Sequence, residues 1–125
     1  MNSVAYFEIQ ADDIDRAKEF YSTIFGWRFE KQEGLPGEYY QIFTDGPFGG
    51  LLKRPAKTAS PASGTNAFVC SIQVENFDKT AEKILKSGGV IAMEKFAVPG
   101  KCWQGYFVDT EGNTFGLFQV DEKAM

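Results

Sequence analysis

The chain repeats itself. Ile9-Gln10-Ala11-Asp12-Asp13-Ile14-Asp15-Arg16 is answered by Ile72-Gln73-Val74-Glu75-Asn76-Phe77-Asp78-Lys79. At the same spacing Gly26 matches Gly89, and at a slightly wider one Thr44-Asp45-Gly46 matches Thr110-Glu111-Gly112 and Gly50 matches Gly116. The extra residues are therefore expected in a loop between Gly89 and Thr110. A duplicated layout means one supersecondary unit made twice, and 125 residues are enough for one domain with its own core. The stretch 55–64 is rich in Pro, Ala and Ser and reads as a linker. Repeat one then covers 1–54 and repeat two 65–125, within a single domain over 1–125.

Each repeat opens with a run rich in Phe, Val, Ile and Tyr, at 3–10 and 66–74, the signature of a strand. Ile14, Ala17, Phe20, Tyr21, Ile24 and Phe25 follow at helical spacing, as do Phe77, Ala81, Ile84 and Leu85. Asp12 and Asn76 are the expected caps, Gly26 and Gly88-Gly89 the stops. Three strands should follow each helix: 27–33, 38–44 and 48–53, then 90–96, 102–109 and 114–120. Asp45-Gly46 and Glu111-Gly112-Asn113 mark the hairpin turns. The layout is βαβββ twice, an α+β fold.

There is no histidine. Imidazole bases, His-ligated zinc or iron sites and histidine pH switches are excluded. Two cysteines, Cys70 and Cys102, are too few for a disulfide framework or a thiolate zinc site, so a reducing cytoplasm is expected. Carboxylate oxygen is the remaining metal chemistry. A net charge of −4 and an isoelectric point near 4.8 argue against a grip on nucleic acid. No apolar run is long enough to span a bilayer, and Met1-Asn2-Ser3-Val4 does not begin a signal peptide.

The layout, with Tyr6-Phe7-Glu8-Ile9-Gln10-Ala11-Asp12-Asp13, Ala17-Lys18-Glu19-Phe20-Tyr21, Ile24-Phe25-Gly26-Trp27 and Phe107-Val108-Asp109-Thr110-Glu111-Gly112-Asn113-Thr114-Phe115-Gly116-Leu117, resembles the vicinal oxygen chelate superfamily. Glyoxalase I, bleomycin-resistance proteins and extradiol dioxygenases belong to it. The resemblance implies curled mixed sheets around a cup, and a homodimer. It also implies four metal-ligand positions, one on the first and one on the last strand of each repeat. Here they carry Tyr6, Gly50, Val69 and Gly116. Three of these have no ligating side chain, and a lone phenol is a poor ligand for a divalent ion. No metal and no cofactor is expected.

Strand alternation assigns the faces. Phe7, Ile9 and Ala11 should pack on the first helix, which leaves Tyr6, Glu8 and Gln10 on the cup side. Phe68, Cys70, Ile72 and Val74 should pack on the second helix, which leaves Val69, Ser71 and Gln73. The last strands add Phe118 beside the two glycines, which leave room. The middle strands offer Tyr39, Gln41 and Phe43, with Trp103, Gly105 and Phe107 or their neighbours. Glu8 is the catalytic candidate, since a carboxylate in an apolar setting can act as a general base. It can equally be paired with a Lys or Arg across the sheet. Tyr6 can donate a hydrogen bond to a substrate oxygen, or simply fill the metal hole. The ligand-binding candidates are Tyr6, Glu8, Gln10, Gln41, Ser71, Gln73, Trp103 and Phe118. The expected function is metal-independent binding of a planar or cationic small molecule in an aromatic cup. A metal-independent isomerase or lyase with Glu8 as base is the alternative. The missing ligands oppose a glyoxalase I-like metalloenzyme.

Overall fold

The computed structural model of the chain describes residues 2, 4–54 and 68–125. The linker expected at 55–64 and the start of the strand expected at 66–74 fall outside them. Two compact units divide the chain, Met1–Lys57 and Thr58–Met125.

Unit one runs β1 (Phe7–Ala11), α1 (Ile14–Phe25), β2 (Arg28–Lys31), β3 (Tyr39–Phe43) and β4 (Gly49–Lys53). Unit two runs β5 (Ser71–Gln73), α2 (Phe77–Lys86), β6 (Val90–Val98), β7 (Cys102–Val108) and β8 (Thr114–Val120). The sheet orders are β1-β4-β3-β2 and β5-β8-β7-β6. In each sheet the first strand lies parallel to the last, and the other pairings are antiparallel. The α+β class and the doubled βαβββ layout are as read from the repeat, with one four-stranded mixed sheet in each unit.

The helices form because their apolar residues recur every three or four positions. Ile14, Ala17, Phe20, Tyr21 and Ile24 are buried along α1, and Phe77 and Ile84 along α2. Asp13, not Asp12, caps α1: its carboxylate accepts the Arg16 amide at 3.0 Å. Asp12 is held elsewhere, 3.2 Å from the Arg54 guanidinium. Asn76 caps α2 through the Lys79 amide at 3.0 Å. Gly26 ends α1 at φ 71°, a left-handed conformation that costs glycine little.

Alternation sends Phe7, Ile9 and Ala11 to the α1 side, where Ala11, Ile14, Ala17, Tyr40, Ile42 and Leu51 form the core. Trp27 lies flat against Tyr21, 5.1 Å between ring centres and 4° between planes. Unit two builds its core from Phe77, Ile84, Phe107, Phe115 and Leu117.

Two expectations fail here. Phe68 and Cys70 are exposed instead of packed on α2, because β5 is only three residues long and does not extend the alternation to them. The surplus of repeat two also goes largely into a strand: β6 has nine residues where β2 has four, and its pairing with β7 breaks register at two places.

Removing the Leu51 side chain leaves a cavity in a fully buried site. Leu51→Ala is expected to cost about 2–5 kcal/mol in urea unfolding. Asp13→Ala should cost about 1 kcal/mol through loss of the bond to the Arg16 amide. Unchanged stability in that variant would refute the cap assignment.

Candidate functional site

The face of the unit-one sheet turned away from α1 follows from the register. Glu8 lies beside Gly50, Gly50 beside Gln41, and Gln41 beside Glu30. The next rung holds Gln10, Leu52 and Tyr39. Of the two parities left open for this strand, the register puts Tyr39, Gln41 and Phe43 on this face. Tyr6 stands just ahead of β1 and brings its hydroxyl to the same face, 2.8 Å from the Tyr39 hydroxyl. Tyr39 donates to Glu8 Oε2 at 2.8 Å. Three side chains from two strands are thereby joined in one hydrogen-bonded chain.

Gly50 makes this possible. A Cβ there would overlap the Tyr39 hydroxyl and come within 3.0 Å of the Tyr6 hydroxyl. The space that the glycine was expected to leave open is filled by a phenol. Burial is the main force on that phenol, and its hydrogen bonds to Tyr6 and Glu8 act the same way. Together they hold Tyr39 protonated well above the ordinary tyrosine range. Glu8 is exposed and, among the described residues, forms no ion pair. The cross-sheet Lys or Arg partner considered for it is therefore replaced by Tyr39.

Unit two repeats the device with neutral groups. Ser71 lies beside Gly116, and Gln73 and Gln104 both lie beside Phe118. Gln104 Nε2 donates to Ser71 Oγ at 3.3 Å. A Cβ on Gly116 would overlap Ser71 Oγ and stand 2.8 Å from Gln104 Nε2. Ser71, Gln73 and Phe118 thus share one face, as alternation required.

Trp103 does not join them. With Gly105 and Phe107 it points to the α2 side, and the neighbours Gln104 and Tyr106 take the face expected for it. The Trp103 indole donates to Asp121 Oδ2 at 3.0 Å, and Lys95 Nζ sits 4.6 Å from its ring centre. The Asp121 carboxyl is held below the usual range by the Lys123 amide first and the Trp103 indole second. Trp103 is a packing residue of unit two. Gly105 carried the missed signal: Phe77 Cζ lies 2.7 Å from where its Cβ would be. A glycine within a strand marks such a close approach, and here it marks the helix side.

The four ligand positions implied by the resemblance hold one phenol, one valine and two glycines whose flanking space is taken by other side chains. This donor set does not fit a divalent ion. Among the described residues, no three of His, Cys, Asp and Glu converge on a point elsewhere.

Residues 3–117 match the Glyoxalase/Bleomycin resistance protein/Dioxygenase superfamily. A glyoxylase-like domain-containing protein of Didymella fabae is 31% identical over 125 residues, covering 91% of this chain and 91% of that protein. The protein CFP32 of Mycobacterium bovis is 24% identical over 118 residues. That match takes in 93% of this chain but 45% of CFP32, so the chain spans under half of that relative. Among solved structures, the fosfomycin resistance protein FosX of Listeria monocytogenes superposes with a TM-score of 0.77 at 15% identity, over 97% of this chain and 93% of that one. At that identity the likeness is one of fold. FosX has also been solved with manganese(II) and sulfate.

The five tyrosines should not ionise together in an alkaline absorbance titration. Tyr39 is expected to stay protonated where free phenols titrate, near 10. Its raised value means that its contribution to stability is intact below about 10 and is lost as pH rises past the value of the unfolded phenol. Gly50→Ala, by pushing the Tyr39 hydroxyl off its partners, should return one tyrosine to the ordinary range. An unchanged titration would show that Gly50 does not seat Tyr39.

Proposed function

The chain belongs to the glyoxalase/bleomycin resistance protein/dioxygenase superfamily, and from that premise we propose that it binds a small organic molecule without a metal centre. The observation that carries this reading is the Tyr39 hydroxyl seated over Gly50. Metal chemistry in this fold needs donor side chains at the last strands, and here those positions are glycines with their space already taken. The side chains that remain suit an organic ligand. The unit-one face offers the hydrogen-bonding groups of Tyr6, Glu8, Gln10 and Gln41, and the unit-two face, taken by itself, offers Ser71, Gln73 and the ring of Phe118. A planar or cationic molecule is the class such groups recognise.

One observation favours a second reading, a metal-independent isomerase or lyase. Tyr39 orients the Glu8 carboxylate at 2.8 Å, as a third group orients a general base. Glu8→Gln separates the two. Lost turnover with binding kept supports the enzyme, and altered binding with no turnover in either form supports the binding protein.

The homodimer and the cytoplasmic location belong to the same proposal. Both cysteines are free, which suits a reducing compartment, and no described helix is long and apolar enough to cross a membrane. Light scattering should return twice the 13.9 kDa chain mass.

Equilibrium dialysis against manganese(II), nickel(II) and zinc(II) is expected to leave each ion unbound at equimolar protein. Mass spectrometry of the denatured protein as purified is expected to release a small organic molecule. One ion held per chain, and lost in Glu8→Gln, would overturn the proposal.

A further inference from the structure

Resting on that reading, we infer that the unit-one face takes its ligand through an ammonium group that donates N–H bonds to Tyr6 Oη and Glu8. The number of protons decides which of these groups can donate. A phenol has one proton to donate, and an ionised carboxylate has none. Tyr39 gives its proton to Glu8 Oε2 at 2.8 Å. Its oxygen must then accept at the 2.8 Å contact with Tyr6, which makes Tyr6 the donor there. Tyr6 has no second proton. The chain runs Tyr6 to Tyr39 to Glu8, and its exposed ends present only lone pairs. Tyr6 is therefore an acceptor toward a ligand, the reverse of the role expected for it from the sequence.

The rest of the face agrees. By register, Lys31 pairs with Tyr40 and Lys53 with Ala11, which puts both lysines on the helix side. Arg28 is on the same face as Glu8 but is tied to Glu30 at 3.0 Å and lies 4.1 Å from the Phe43 ring centre. Arg54 is drawn to Asp12 and Lys18 to Asp15. Among the described strand residues of unit one, the face thus carries Glu8 and Glu30 against one arginine already engaged. An anionic ligand group would meet lone pairs and a carboxylate at Tyr6 and Glu8. An ammonium would meet two acceptors and a complementary charge. Phe43 and Phe48, edge to face at 5.1 Å, are available to its organic body, and Phe48 is 46% exposed. The elevated proton affinity of Tyr39 keeps the middle of the chain a donor to Glu8 at all ordinary pH.

The test is an amide NMR titration of the whole chain at neutral pH with three probes of one shape: benzylamine, benzyltrimethylammonium and benzoate. Benzylamine is expected to shift the amides of residues 6–10, 39–43 and 49–52 saturably. Benzyltrimethylammonium, a cation without N–H donors, loses both bonds and should bind there at least about ten-fold more weakly. Benzoate should leave these amides unmoved. Tyr39→Phe frees the Tyr6 proton and should let benzoate bind while weakening benzylamine. Glu8→Gln should abolish the preference between the two. The inference is overturned if benzylamine shifts none of these amides, or if benzoate binds there as tightly in the unaltered chain. Benzoate binding on equal terms would still leave small-molecule binding standing, whereas a stoichiometric metal ion would remove the reading on which both rest.

Discussion

The contact that organises this molecule is the approach of a side chain over a missing one. At Gly50 the Tyr39 hydroxyl occupies the volume a Cβ would need, and from there it reaches both Tyr6 and Glu8. A strand glycine weakens packing and adds backbone freedom to the unfolded chain. Here that cost is offset by a polar chain joining the first and third strands across the fourth. The parallel pairing of β1 with β4 places Glu8 directly beside Gly50, and the antiparallel pairing of β3 places Tyr39 one rung along. The hydrogen bond is diagonal, and only the absent side chain between its ends lets it close.

Duplication explains why the same solution occurs twice, and divergence explains why the two differ. Gln104 reaches Ser71 over Gly116 by the same diagonal. The unit-two bond is longer and joins neutral groups, whereas the unit-one bond ends on a carboxylate. The donors differ as well, a phenol O–H at 2.8 Å against an amide N–H at 3.3 Å, and O–H donors approach more closely. Unit two also lacks a counterpart to Tyr6, where the repeat has Val69. Of the two faces, that of unit one is polarised and that of unit two is not.

The parts of this arrangement visible in the sequence are those set by period and repetition. Helix faces follow from spacing, and strand faces follow where the alternation is unbroken, as from Phe7 to Ala11. The face of β7 was not legible. Cys102, Gln104, Tyr106 and Val108 alternate with Trp103, Gly105 and Phe107, so each side carries apolar and aromatic residues and neither stands out as the core side. The decisive residue was Gly105, whose side is fixed by the Phe77 ring against it, and that contact exists only once α2 is docked on the sheet. The α1 cap was displaced for a similar reason. Asp12 and Asp13 are equivalent as local signals, and it is the Arg54 side chain, distant in sequence, that engages the first and leaves the second to cap. The role of Tyr39 was hidden because an isolated glycine reads as vacancy, when a folded sheet seldom leaves a void of that size beside a long side chain.

These observations bear on how far the chain stands from a metal-binding relative. Placing a carboxylate at position 50 is not a single step, because its Cβ alone would collide with the Tyr39 hydroxyl. Tyr39 would have to leave its site, and with it would go the bond that orients Glu8 and the acceptor that takes up the Tyr6 proton. Gly116 poses the same problem against Ser71 and Gln104. Each glycine is thus coupled to two side chains whose positions make sense only while the glycine stays. Substitutions coupled in this way do not contribute independently. The Tyr39 hydroxyl and any side chain at position 50 are alternative occupants of one volume, and in this chain the volume belongs to the phenol.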